Sequence, residues 1–215
     1  MFVTFEGLDL SGKTTQAQLL AEAATSFRVR NPHVYPPVLF LREPGGTAIS
    51  ERLRAILLDR GHDAMSDRTE LLLFAASRAQ LVDEVILPAL ARKEIVLCDR
   101  FHDSTTAYQA YGRGLDLEVV RTINRFATAG VLPDLTILVD IPVEEIERRR
   151  QASELARDRM ETSGRAFLER VREGYRAMCE AEPGRFVCVD GTAPVPLVAQ
   201  EVWRAFLQRA PEYRQ

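Results

Sequence analysis

The chain has 215 residues, of which 46% are hydrophobic and 27% are charged, and its formal net charge is −3. This length predicts a single domain over residues 1–215, and the weakly acidic balance argues against a nucleic acid or a membrane surface as a partner. No apolar run approaches the roughly 18 residues that a membrane-spanning helix needs.

Five short apolar runs predict β-strands, and helical segments separate them. None of the runs alternates between apolar and polar residues, as expected of strands that are covered on both faces. The predicted strands are 2–5, 38–41, 95–98, 135–140 and 186–190. The predicted helices are 13–24, 49–59, 67–91, 117–128, 142–150, 163–180 and 196–209. Strands alternating with helices predict an α/β three-layer sandwich, with a five-stranded parallel sheet and helices on both faces.

Cap and proline signals support several of these boundaries. Thr47 is a candidate N-cap for the second helix, and Ser66 or Asp67 for the long third helix. Pro88 is expected to bend that long helix or to mark its last turn. Pro142 fits the first turn of its helix.

Three cysteines, Cys98, Cys179 and Cys188, have no spacing typical of a metal site. Their odd number, together with the lack of a visible signal peptide, indicates a reducing compartment. We therefore expect a cytoplasmic protein.

A glycine loop follows the first predicted strand and precedes the first predicted helix. Gly7, Gly12, Lys13 and Thr14 match the P-loop pattern, in which backbone N–H groups and a helix N-terminus surround phosphate oxygens. Lys13, one of only two lysines, would reach the β- and γ-phosphates, and Thr14 would bind Mg²⁺ through its hydroxyl. The predicted ATP-binding residues are Gly7, Leu8, Asp9, Leu10, Ser11, Gly12, Lys13, Thr14 and Thr15. The alternative is a glycine-rich turn that binds nothing, which the strand–helix context disfavours.

The P-loop does not by itself distinguish switches, motors and small-molecule kinases, so the residues that follow the other strands matter. Ligands of an open parallel sheet lie beyond the carboxyl ends of its strands. Arg42 and Arg100 each follow a predicted strand, and arginine forks match phosphate oxygens. Asp99 stands where an acid that holds Mg²⁺ is expected. Alternatively, Arg42 is a solvated charge, and Asp99 and Arg100 form a structural ion pair.

Phe74 and Arg78 lie four residues apart on the long helix and therefore share one face. The ring could stack on a flat heterocycle while the guanidinium donates to its carbonyl. Alternatively, Phe74 belongs to the core and Arg78 has a buried partner.

Taken together, these segments resemble the thymidylate kinase family over nearly the whole chain. The matching segments are FEGLD (5–9) with the P-loop, REPGGT (42–47), Phe74 with Arg78, Asp99 with Arg100, and STTAYQ (104–109). The resemblance implies transfer of the γ-phosphoryl group of ATP to dTMP with Mg²⁺ as cofactor. It also implies a homodimer packed through helices, with residues 68–87 as a contributor.

The resemblance further implies a role for each dTMP-binding residue. Asp9 would accept from the 3′-hydroxyl, and Arg42 and Arg100 would hold the phosphate. Phe74 would stack on thymine, and Arg78 would donate to its O4. Ser104 and Thr105 would lie near the base. Tyr108 would disfavour a ribonucleotide. Thr106 replaces a glutamine of many bacterial members, which leaves one base contact open.

The P-loop lacks the arginine that some members of that family carry there. Other members place it in a mobile lid, and here basic residues are concentrated in the segment 148–162. The predicted catalytic residues are Lys13, Arg100, Arg157 and Arg159. The alternative for the basic cluster is a solvated helix end, which the helix dipole favours.

The proposed acceptor is a phosphate monoester, which is largely dianionic near neutral pH and needs no general base. We therefore expect catalysis by positioning and charge neutralisation, with no role for the three histidines. The competing hypotheses are another nucleoside monophosphate or deoxynucleoside kinase and a non-catalytic P-loop regulator.

Overall fold

A computed structural model describes residues 1–30, 32–33, 35–151 and 164–214. Within these ranges the five strands are β1 (Phe2–Glu6), β2 (Val38–Arg42), β3 (Ile95–Asp99), β4 (Leu135–Asp140) and β5 (Phe186–Asp190). They form one parallel sheet in the order β2-β3-β1-β4-β5. The predicted α/β fold and its five-stranded parallel sheet are confirmed.

Nine α-helices lie within the described ranges, and they connect or flank the strands. They are α1 (Lys13–Arg30), α2 (Ala48–Leu58), α3 (Asp67–Leu81), α4 (Leu87–Ala91), α5 (His102–Thr105), α6 (Leu117–Ala127), α7 (Val143–Gln151), α8 (Arg165–Ala181) and α9 (Val195–Arg209). Short 3₁₀ segments occupy Arg60–His62 and Pro211–Arg214. None of the helices described is long and apolar enough to cross a membrane.

The predicted helix over residues 67–91 is continuous but contains a π-helical turn at Val82–Ile86 that joins α3 to α4. In this turn the N–H of Leu87 donates to Val82 O, five residues earlier, directly before Pro88, which has no N–H. Ser66 caps the helix, because its hydroxyl accepts from the N–H of Thr69 at 3.3 Å. Thr47 caps α2 in the same way, through Ser50.

The sequence analysis did not predict the helical segment that follows β3. There α5 continues into a π-helix at Thr106–Gly112. Most of its residues are buried, so no polar face marks the helical period, and the segment reads as an irregular run.

Both faces of the sheet carry a hydrophobic core. On one face Leu20 of α1 and Phe206 of α9 pack with Val3 and Ile137 of the central strands. Leu81, Val82 and Ile86 pack against β3 in a second cluster. Val171 and Tyr175 of α8 pack against β4 in a third. Burying a side chain of this size contributes about 1.5–3 kcal/mol, so the three layers are held mainly by these contacts.

Candidate active site

The P-loop curves tightly between β1 and α1. Gly7 has a φ of 138°, and a Cβ placed there would lie 2.4 Å from the carbonyl oxygen of Val139 on β4. Only glycine therefore fits this position. The Leu8 side chain is buried in the core, so Leu8 presents only its backbone to the space that the loop encloses. The Thr14 and Thr15 side chains at the start of α1 are exposed.

Lys13 bends back over the loop. Its Nζ donates to the Leu8 carbonyl at 3.3 Å and to Asp9 Oδ1 at 3.4 Å, and the side chain is 8% exposed. Burial, and then the positive charge of Arg100, hold the pKa of Lys13 below its usual value. The ammonium is thus held against the loop by one carbonyl and one carboxylate.

Thr14 and Asp99 meet across the sheet edge. The Thr14 hydroxyl donates to Asp99 Oδ2. Asp99 Oδ1 is buried and has no hydrogen-bond partner among the described residues. A hydroxyl beside an unpaired carboxylate oxygen fits the oxygen ligands that Mg²⁺ prefers.

A cavity of about 230 Å³ opens beside the P-loop at the carboxyl ends of the strands. Eleven of the predicted site residues line it, from five separate parts of the chain. They are Asp9, Lys13, Thr14, Arg42, Phe74, Arg78, Asp99, Arg100, Ser104, Thr105 and Tyr108. We call this space the acceptor cavity.

Arg100 is held on both edges of its guanidinium group. Nη2 donates to Asp9 Oδ1 at 2.5 Å and to the Tyr108 hydroxyl at 3.3 Å, while Nη1 donates to Ser104 Oγ at 2.9 Å. Burial alone would raise the pKa of Asp9, but the charges of Arg100 and Lys13 more than offset this and hold it well below its usual range. Asp9 is therefore ionised throughout the neutral range. The backbone of Arg100 has a φ of 71°, which is uncommon outside glycine.

Arg78 is almost fully buried in the floor of the acceptor cavity. Its Nε donates to Glu43 Oε2 at 2.8 Å, and its Nη2 donates to Phe101 O at 3.1 Å and lies 2.7 Å from Glu43 Oε2. Its Nη1 donates to Thr105 Oγ1 at 3.0 Å and to Asn124 Oδ1 at 3.2 Å. All five N–H donors therefore face protein acceptors, and a bond to thymine O4 requires sharing one of them.

Arg42 lies on the exposed side of the cavity. Its Nη2 is 3.3 Å from Glu51 Oε1, and the side chain is 50% exposed. A pair this exposed is weak, so Arg42 can exchange Glu51 for an anionic ligand at little cost.

The comparisons with known proteins agree with one another. The sequence model described as "Thymidylate kinase" matches residues 5–202. A thymidylate kinase from Desulforudis audaxviator is 46% identical over 99% of this chain and 94% of its own length. One from Kosmotoga olearia is 45% identical over 96% of this chain and 95% of its own length. The crystal structure of thymidylate kinase from Ehrlichia chaffeensis has a TM-score of 0.74 and 35% identity, covering 96% of this chain and 98% of the other.

The chain belongs to the thymidylate kinase family. The resemblance stated from the sequence is confirmed, and with it the prediction of a dTMP kinase at the level of the family. The roles predicted for individual residues stay predictions, although the fold brings most of them to one cavity.

Two predicted catalytic residues of this thymidylate kinase family member, Arg157 and Arg159, lie outside the described residues, as does most of the predicted lid. The first residues of the predicted lid, 148–151, form the last turn of α7. There Arg149 donates to the carbonyls of Leu10 and Ser11 at 2.9 and 3.2 Å and to Gly191 O at 2.7 Å. The end of α7 is thereby tied to the P-loop and to the turn after β5.

The sequence analysis assigned no role to several residues of this cavity. Besides the predicted residues, the acceptor cavity is lined by Glu43, Pro44, Arg54, Leu58 and Gln109. Glu43, Pro44 and Gln109 belong to the quoted REPGGT and STTAYQ segments, so their position beside predicted ligands was a usable signal. Arg54 and Leu58 lie on α2 without any motif, and only the packing of that helix reveals them.

Proposed function

We propose that this chain is an ATP-dependent dTMP kinase that forms ADP and dTDP in the cytoplasm. The observation that carries the proposal is the acceptor cavity, where residues of the P-loop face two arginines and an aromatic residue. Arg42 and Arg100 can neutralise the acceptor phosphate, while Lys13 neutralises the donor phosphates. Phe74, which is half-buried on α3, offers a ring for the base.

The proposed reaction needs no general base, because the acceptor phosphate is itself the nucleophile. The second pKa of a phosphate monoester is about 6, so the dianion dominates near neutral pH. Two anions must then approach in line, and the cations of the site lower the repulsion between them. Arg100, fixed between Asp9 and Ser104, supplies charge without having to reorganise.

Mg²⁺ is the proposed cofactor, and Thr14 and Asp99 would hold it. The unpaired Asp99 Oδ1 beside the Thr14 hydroxyl supports this assignment. When bound, the ion neutralises charge on the donor phosphates.

The proposed substrate pair can be tested with a coupled assay of ADP release. ATP, Mg²⁺ and each nucleoside monophosphate in turn would be supplied. We expect dTMP and then dUMP to outrank dCMP, because the Arg78 pocket requires an acceptor at position 4 of the base. A preference for dAMP or dCMP would favour another nucleotide kinase. ATP binding without any turnover would favour a non-catalytic regulator.

The proposed homodimer has support in the exposed apolar residues of three helices, of which α3 contacts both α2 and α6. They are Ile49 and Ile56 on α2, Leu72 on α3, and Val119 and Phe126 on α6. We expect light scattering after gel filtration to give the dimer mass for the wild type and the monomer mass for Leu72→Asp. Leu197→Asp on α9 is the matched control, because Leu197 is 52% and Leu72 57% exposed. A monomeric wild type, or a dimeric Leu72→Asp variant, would contradict the proposed interface.

A further inference from the structure

Glu6, at the end of β1, is a fully buried carboxylate behind the acceptor cavity. Its Oε1 accepts from the N–H of Phe101 at 2.8 Å. Its Oε2 accepts from Ser104 Oγ at 2.5 Å and from the Tyr175 hydroxyl at 3.1 Å. Glu6 does not figure among the described residues that line the cavity, so it has no direct path to a bound substrate.

The two hydroxyls connect Glu6 to Arg100. Arg100 Nη1 donates to Ser104 Oγ at 2.9 Å and to the Tyr175 hydroxyl at 3.2 Å, and the two hydroxyl oxygens are 2.8 Å apart. Each hydroxyl has one proton and two lone pairs. A carboxylate that attracts both protons turns the lone pairs toward Arg100. Two edges of the guanidinium are then held, one by this relay and the other by Asp9.

We propose that Glu6 is a positioning residue, which holds Arg100 in place for the acceptor phosphate through the hydroxyls of Ser104 and Tyr175. This inference rests on the proposed dTMP kinase function. Arg100 needs such support because its left-handed backbone is unfavourable and its nearest anion, Asp9, draws it to one side only.

A carboxylate performs this task and an amide cannot, although the two have the same shape. In Glu6→Gln, one end of the side chain becomes an NH₂ donor. If that end faces the hydroxyls, their protons turn toward Arg100, and the O–H donors then oppose the N–H donors of its guanidinium. If it faces Phe101, it opposes the backbone N–H instead. Either orientation leaves a buried donor without an acceptor.

The surroundings of Glu6 make the relay sensitive to pH. Burial and the negative charge of Asp103 on α5 raise the pKa of Glu6 to about 7, although Arg100 and the hydrogen bonds from Ser104 and Phe101 act in the opposite direction. Within the described part of the chain, the Cys98 thiol on β3 and the Tyr175 hydroxyl on α8 are the other ionisable groups that interact with it. Protonated Glu6 carries a donor, as glutamine does, so the relay weakens in acid.

The decisive experiment compares the wild type with Glu6→Gln, Tyr175→Phe and a control, Thr4→Val. Thr4 is also buried on β1, but its hydroxyl bonds to Thr136 Oγ1 at 3.0 Å and not to Glu6, Ser104, Tyr175 or Arg100. At about pH 8 we expect Glu6→Gln to raise the KM for dTMP about tenfold and Tyr175→Phe about threefold. The KM for ATP changes less than about twofold in both. Thr4→Val lowers the melting temperature and leaves both KM values unchanged.

A second readout is the pH dependence of kcat/KM for dTMP. We expect the wild-type value to fall more steeply than that of Glu6→Gln between about pH 8 and pH 6, because only the wild type protonates Glu6. Ionisation of the dTMP phosphate affects both enzymes equally.

Parallel profiles, an unchanged KM for dTMP in Glu6→Gln, or an equal rise of both KM values would overturn the inference. If Glu6→Gln fails to fold, the KM of Tyr175→Phe for dTMP tests the inference instead, and an unchanged value would overturn it. A wild type that does not phosphorylate dTMP overturns the proposed function instead.

Discussion

Arg78→Met tests the buried ion pair in the floor of the acceptor cavity. The side chains of Arg78 and Glu43 are 2% and 3% exposed, and methionine keeps most of the apolar volume while removing all five donors. The substitution leaves the Glu43 carboxylate buried without its cation, together with unpaired acceptors on Thr105 and Asn124. Removing one partner of such a pair costs about 3–5 kcal/mol, and we expect a loss of this size in the free energy of unfolding.

The size of this loss depends on pH. Burial already raises the pKa of Glu43, and the charge of Arg78 lowers it. Without Arg78 the folded-state pKa rises further above the unfolded value, so stability is lost as pH rises through it. We therefore expect the deficit of Arg78→Met to be larger at about pH 8 than at about pH 5.

Urea unfolding of four proteins at fixed concentration measures these effects. Arg78→Met is compared with the wild type, with the double variant Arg78→Met/Glu43→Gln, and with Arg121→Met. Arg121 pairs with Glu118, but the two side chains are 54% and 77% exposed, so its loss costs at most about 1 kcal/mol. The double variant recovers part of the loss, because no buried charge remains. A deficit below about 1 kcal/mol for Arg78→Met, or a double variant no more stable than it, would refute the reasoning.

The remaining predictions concern catalysis and acid dependence. Lys13→Met lowers kcat by about 10²–10³, because it removes a cation from the transferring phosphoryl group; ordinary activity in the ADP-release assay would contradict the P-loop assignment. Arg159→Ala lowers kcat by about 10³ and changes dTMP affinity little, so a variant with only weaker dTMP binding would exclude a lid role for Arg159. Glu6 has a folded pKa of about 7, above its unfolded value, so its contribution to stability is fully present at low pH and is lost as pH rises through 7. Urea unfolding measures the free energy of unfolding of the wild type minus that of Glu6→Gln. We expect this difference to be more favourable to the wild type at about pH 5 than at about pH 8, by a few kcal/mol. An equal difference at both pH values would contradict this.

Local pattern was enough to predict the sheet and most helices. Buried strands read as uninterrupted apolar runs, and caps such as Thr47 and Ser66 act within three residues, so both features are visible in a short window of sequence. The segment 102–112 was missed, because a helix that is buried nearly all round has no polar stripe.

Motifs also predicted eleven of the residues that line the acceptor cavity, since parallel strands bring their carboxyl ends to one edge. The partners of those residues could not be predicted in this way. The sequence already required a buried partner for Arg78. That this partner is Glu43, 35 residues away, follows only from the fold, which brings α3 to the loop after β2.

The sequence by itself determined the P-loop, the order of strands and helices, and the two arginines that follow β2 and β3, because each depends on residues that are neighbours along the chain. Only the tertiary structure decided how those arginines are held. Glu6 and Tyr175 are 169 residues apart and meet because α8 packs on β4, the strand next to β1. Hydrogen bonds act over about 3 Å, so no spacing in the sequence reveals such a relay until the fold has closed the distance.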